Sequence, residues 1–333
     1  MFTYEIDKPL EGKPEDLEGL HKPSFEELKR LEFNGIPRYN IWCNGVLKGN
    51  NQKIYAFYLE FKPFHGNRKY VYQFDMIEIE DGKFNNIGRI DWEGWVSEEF
   101  EDKIVFSGSQ GEVEYSILRE GGYKLSLNRR FVEVDMPAYG HYIGGSVQLN
   151  LDFEDLGFPF WYNKGRPAII FPDGTKIAGA EPFSRVSGYA VINGRKVEVA
   201  GFSDHEAFFN KGDIVHNIIK HGNEFWLPFW CNDETHGIFV IFGDYKDGGI
   251  VIDGNYMIPR DFDLAILRLH GISPVKINLS AETLKGSLNL TYDGIARFGW
   301  QWGEVVSSVS GTFTRKDGST AELKGFGWIE HLS

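Results

Sequence analysis

The stretch FSRVSGYAVINGRKVEVAGFSDHE, from Phe183 to Glu206, decides how this chain reads. Apolar and polar residues alternate on both sides of Asn193-Gly194, a dipeptide that accepts the positive φ of a tight hairpin turn. The pattern predicts two antiparallel strands. It returns as Ser307-Ser308-Val309-Ser310-Gly311, a turn at Asp317-Gly318 that is one residue longer, and Glu322-Leu323-Lys324-Gly325-Phe326. The copies lie much further apart than the roughly 20–50 residues of a solenoid repeat. Two related β-domains are therefore expected, 1–182 and 183–333.

The rest of the chain agrees. Nine Asn-Gly or Asp-Gly dipeptides punctuate it, each read as a turn, with alternating runs between them such as Ile54 to Phe61 and Lys69 to Phe74. A third hairpin of similar design spans Ile41 to Gly49 and the aromatic strand from Ile54. Helix is scarce: Ser24-Phe25-Glu26-Glu27 has the Ser and Glu of a capping box and opens a short helix to about Leu31. Residues 206–220 fit either a helix or a lid-like loop. The expected class is all-β, two β-barrel domains with little helix.

Composition narrows the function. The 333 residues are 42% hydrophobic, enough for a core without staples. Cys43 and Cys231 stand alone, with no CxxC and no Cys/His spacing, so neither a disulfide framework nor a zinc cluster is written here. A net charge of −13 repels a phosphate backbone, which removes nucleic acid as a partner. The N-terminus lacks the basic-then-apolar design of a signal peptide and no 18-residue apolar run occurs, so a cytoplasmic protein without membrane insertion is expected. At 15% aromatic, including 27 Phe and 9 Trp, the chain is rich enough to line a pocket for a small hydrophobic molecule, although core packing uses the same residues.

The chemistry concentrates where the first hairpin ends. If the strand continues beyond Gly201, Phe202, Asp204, Glu206 and Phe208 share one face, with Ser203, His205 and Phe209 on the other. A carboxylate facing an apolar lumen loses hydration and holds its proton near neutral pH, ready to protonate an alkene or a carbonyl. The same acids also fit a solvated strand end. Arg185, on the neighbouring strand, is either their counter-charge or half of a surface ion pair. The second copy closes Trp328-Ile329-Glu330-His331, again an acid and a histidine after an aromatic strand. Trp161 with Tyr162, Trp226 with Trp230, and Trp300 with Trp302 supply further pocket walls, the first pair in a rim loop that starts near Leu156. His216, His221 and His236 do not have the spacing of a zinc helix, and no metal site is expected. Phosphate loops, dinucleotide fingerprints and nucleophile elbows are missing as well.

These motifs, taken in order, resemble the carotenoid 1,2-hydratase and AttH-like lipocalin superfamily: the hairpin from Asn44 to Phe61, Phe-Ser-Arg into Val-Ser-Gly from Phe183 to Gly188, Gly-aromatic-x-Asp-His-Glu from Gly201 to Glu206, and Gly-x-Gly-aromatic-x-Glu from Gly325 to Glu330. The resemblance spans most of the chain. It implies two calycin-type barrels and cofactor-free chemistry on an apolar terpenoid, phenolic or polyketide substrate, as in carotenoid hydratases, kievitone hydratase and fungal Diels–Alderases. By the same resemblance Asp204 is the proton donor, with His205 and Glu206 as its partners. Ala207-Phe208-Phe209 stands where relatives carry a tryptophan, and Phe202 lacks a hydroxyl, so the substrate expected is not a carotenoid. A non-catalytic carrier of hydrophobic ligands and a carbohydrate-active β-sandwich using Asp204, Glu206 or Glu330 are the rival expectations.

Overall fold

The computed structural model describes residues 11–12, 32–33, 36–63, 70–80, 83–86, 90–91, 96–99, 103–108, 111–118, 122–131, 134–136, 140–142, 144–157, 159–161, 169–170, 174–212, 224–232, 235–243, 245–271, 273–298 and 304–332. Every regular element among them is a strand. The helix expected over 24–31 lies outside these residues. Of the 206–220 region, residues 206–211 continue the strand Arg195–Lys211, and 213–220 lie outside the described residues. Among the described residues no helix is long and apolar enough to cross a membrane.

The chain forms two compact units, one from 22–159 and 179–209, the other from 1–21, 160–178 and 210–333. This division differs from a cut between 182 and 183. The hairpin of Phe183–Ile192 and Arg195–Lys211 belongs with the earlier strands, since Phe183–Ile192 pairs with Gly145–Asp155 and Arg195–Lys211 with Ile36–Gly49. It is the end of the first unit rather than the start of the second.

In the first unit Ile36–Gly49, the opening strand, pairs with Ile54–Pro63, and that strand with Tyr70–Glu80. Gly111–Ile117, Tyr123–Phe131, Gly145–Asp155 and the hairpin follow, and the closing strand Arg195–Lys211 returns to the opening one to shut a barrel. Period-2 alternation fills its interior with Tyr55, Phe57, Leu59, Leu125, Leu127, Leu149, Leu151, Phe153, Val197 and Val199, all buried.

The second unit is an eleven-stranded open sheet. Its opening strand is broken at Leu227-Pro228 into Glu224–Trp226 and Phe229–Cys231, both paired with the closing strand Thr320–Leu332. Phe225, Phe229, Phe239, Ile250, Leu279, Leu290, Tyr292 and Ile329 build its core.

The sequence repeat is therefore a repeat of how each sheet joins its last strand to its first. Gly188 and Gly311 bring the strand against the carbonyls of Asn150 and Asn289, and Gly201 and Gly325 against those of Val46 and Trp230. A methyl group at Gly325 would overlap the Trp230 carbonyl, and a backbone held in a ladder on both sides has little room to yield. Gly325→Ala should lower the unfolding free energy by about 3 kcal/mol. Urea unfolding beside an exposed control, Ser310→Ala, reads this out.

Among the described residues, three of the turn dipeptides are not turns. Asn44-Gly45, Asp247-Gly248 and Asp293-Gly294 lie inside strands. A side chain at Gly45 would strike the Phe57 ring, and Gly294 sits at a register shift, so these glycines answer close approach and a bulge. Asn193-Gly194 and Asp253-Gly254 do turn, with φ of 49° and 79°, and 52° and 70°.

Candidate functional site

The closing strand of the barrel carries Asp204-His205-Glu206 with all three side chains buried. Register places the two acids on the face opposite to His205. Asp204 lies across from Asn44, Asn44 from Tyr58, and Tyr58 from Asp75, a row over four strands. One step along, Glu206, Trp42 and Glu60 form a second row, with Asn40 beyond and its amide donating to Glu60 Oε1 at 2.7 Å. Four strands at about 4.8 Å spacing make this patch roughly 14 Å across. Inward-pointing residues have odd numbers on Arg195–Lys211, Ile36–Gly49 and Ile54–Pro63 and even numbers, such as Phe74 and Met76, on Tyr70–Glu80, so the patch lies on the outer face of the barrel wall and not in its lumen. It is buried nonetheless: Asp204 is 1% exposed, Asp75 2%, Glu60 3% and Glu206 1%.

Burial sets the electrostatics of Asp204. Desolvation raises the Asp204 carboxyl well above its usual range, with its own backbone N–H acting weakly the other way. Burial thus favours the protonated form of Asp204. Neither its Oδ1 nor that of Asn44 has a hydrogen-bond partner among the described residues. These two oxygens are acceptors that a donor group of a ligand would satisfy.

Arg185 is not the counter-charge. It lies across from Phe202, is exposed, and forms an ion pair with Glu154 at 3.6 Å. Such a pair contributes about 0–1 kcal/mol. Arg185→Ala should leave activity and melting temperature within error of wild type, as parallel rate and thermal-melt measurements can check.

His205 points into the barrel. Tyr115 Oη lies 2.7 Å from Nδ1, Ser203 Oγ lies 3.3 Å from Nε2, and Cys43 Sγ lies 3.4 Å from Ser203 Oγ. The Tyr123 ring stacks on the imidazole at 3.9 Å and Phe153 meets it edge-on at 4.8 Å. Cys43 and Cys231 are both free and buried, and burial pushes the Cys43 thiol far above its usual range, so it is no nucleophile.

The remaining candidates fall in the second unit or outside the described residues. Trp226, Trp230, Trp328 and Glu330 gather on one buried face of the open sheet. Phe202 and Phe208 share the face of Asp204, Phe202 only half-buried. Trp161 ends a short strand, its side chain not described; Tyr162, Trp300 and Trp302 lie outside the described residues. Sequence reading missed Asn44, Glu60, Asp75 and Glu224. One signal was available: Ile54–Pro63 is apolar on both faces, which requires Glu60 to be buried.

The fold defines the class: an all-β, lipocalin-like protein of two units. Among solved structures the chain is similar to a candidate AttH from Nitrosomonas europaea, with a TM-score of 0.59 and 14% identity over 90% of this chain and 94% of that one. It is also similar to kievitone hydratase from Nectria haematococca, at 0.54 and 9% over 95% and 96%, and to CghA, at 0.53 and 9% over 88% and 87%. At these identities the likeness is one of fold. No family model and no curated protein matches the sequence.

Proposed function

We propose that this chain is a lyase or isomerase, of the hydratase or cyclase kind, acting on an apolar terpenoid, phenolic or polyketide molecule with Asp204 as the proton donor. The observation that carries this reading is the fully buried Asp204 carboxyl, its pKa raised by desolvation and its Oδ1 without a hydrogen-bond partner among the described residues, set in a patch with Asn44, Tyr58 and Trp42. The fold shared with kievitone hydratase supports it.

In the proposed step the Asp204 O–H bond breaks and its proton adds to one carbon of a double bond. The π pair forms the new C–H bond, leaving positive charge on the other carbon. Ring faces such as Trp42 and Phe208 stabilise that charge. Water, or a nucleophile within the substrate, then bonds to the cationic carbon, and the proton it releases returns to the Asp204 carboxylate. Nothing is oxidised or reduced, so the step needs no redox cofactor.

Incubation with a panel of isoprenoid alkenes, prenylated phenols and linear polyene polyketides in D2O tests this by mass spectrometry. One non-exchangeable deuterium per product molecule is expected. Products formed without label would point to a pericyclic route, and binding without any product to a carrier; either outcome overturns the proposal.

A further inference from the structure

The second sheet ends on a strand that is paired along one side. Among the described residues Asp261–His270 pairs only with Ser273–Glu282, so its outer backbone groups face away from the sheet. Three of the four exposed large apolar residues among those described lie on it: Ile266, Leu267 and Leu269 are between 45% and 56% exposed. A surface edge of this kind is a template for a further strand. Its charges are ordered along its length, with Asp261 and Asp263 at the start and Arg268 and His270 at the end. Asp263 and Arg268 also share a face. Asp263 lies opposite Ser280 and Ala265 opposite Asn278, and the extra residue at Leu267 sets Arg268 opposite Lys276, the next position on that face. Both side chains are accessible: Asp263 is 84% exposed with an ion pair to Lys246 at 3.5 Å, and Arg268 is 55% exposed and donates to Asp293 at 2.8 Å. A guanidinium carries five N–H donors, and Asp293 also accepts from Lys276 at 2.6 Å, so Arg268 can reach a second carboxylate without leaving Asp293 bare.

We infer that this edge is a docking surface for a second copy of the chain, the two Asp261–His270 strands pairing antiparallel about a two-fold axis. Charge decides both the partner and the direction. Antiparallel pairing of the strand with itself sets Asp263 of one copy near Arg268 of the other, twice over, whereas a parallel pair would set like charges together. The axis stands perpendicular to the sheet, so each face continues as itself across the joint, and acid and base meet on one side. The apolar residues between them, Leu264 to Leu267, then meet their own counterparts at the centre. Because one edge serves both copies, the assembly closes at two. The bulge at Leu267 shortens the flat run and keeps the joint small. A weak, reversible dimer is therefore expected, with a dissociation constant on the order of 10 μM.

Sedimentation velocity of the full chain from about 1 to about 200 μM tests this, in about 0.15 M salt, where the field of the −13 net charge is screened within about 8 Å. Wild type should pass from monomer to dimer. Asp263→Arg and Arg268→Asp should each weaken self-association by about ten-fold or more, since either change sets like charges opposite one another. An equimolar mixture of the two variants should associate again with near wild-type affinity, because each supplies the charge the other lacks. Circular dichroism confirms that each variant folds. A wild-type chain that stays monomeric throughout, a dimer that either variant leaves intact, a mixture that does not regain association, or growth beyond two copies would overturn the proposal.

Discussion

Asp204→Asn should lower turnover by about 10²- to 10⁴-fold, the range of a lost general acid, and should make the protein more stable. Both effects have one cause. The side chain sits 1% exposed on the outer wall of the barrel, where desolvation disfavours its charged form. An amide has nearly the same shape but no proton to give, so the chemical step fails. The unfolded chain ionises this group near the ordinary 3.8, whereas the folded chain keeps it protonated well above that. The raised carboxyl therefore stabilises fully only below 3.8, and its contribution is lost as pH rises toward the folded value. Asparagine has no such slope. Melting temperatures from pH 4 to pH 8 should fall for wild type relative to Asp204→Asn, with the variant ahead at neutral pH. A variant that is both slower and less stable would mean that Asp204 is a structural residue.

His205→Ala should have the opposite pairing: a large loss of stability, about 3–5 kcal/mol, with chemistry retained in whatever fraction stays folded. The imidazole fills the barrel interior between the Tyr123 ring and the Phe153 edge. Its removal leaves a cavity. It also removes the hydrogen bonds of the ring to the Tyr115 and Ser203 hydroxyls, each worth about 0.5–1.5 kcal/mol. Since the units need not unfold together, hydrogen exchange read peptide by peptide is the suitable measurement. Loss of protection should begin in Tyr123–Phe131, Gly145–Asp155 and Arg195–Lys211. A normal exchange pattern with lost turnover would instead make His205 a partner of the acid.

The contrast between these neighbours shows what the sequence could reveal. Alternation through Phe202 to Phe209 separated Asp204 and Glu206 from His205 correctly, because a strand's period is independent of its surroundings. It could not say which face was the lumen, and the acids turned out to lie on the wall's other side. Turn chemistry located Asn193-Gly194 and Asp317-Gly318, but the same residue pairs inside strands serve bulges and close contacts, so Asn44-Gly45 was misread. The repeat was real, yet composition could not show that it closes each sheet; that follows only from its pairing with strands some 150 residues away on one side and about 100 on the other. Arg185 was attractive as a counter-charge for its proximity in the hairpin, and its exposure is what sequence does not carry.

The protonation state of Asp204 in the resting protein is the most direct test. Infrared difference spectra of wild type against Asp204→Asn at pH 7 should show a carboxylic acid C=O band present only in wild type. A carboxylate band in its place would contradict the neutral acid, and with it the proposed proton transfer.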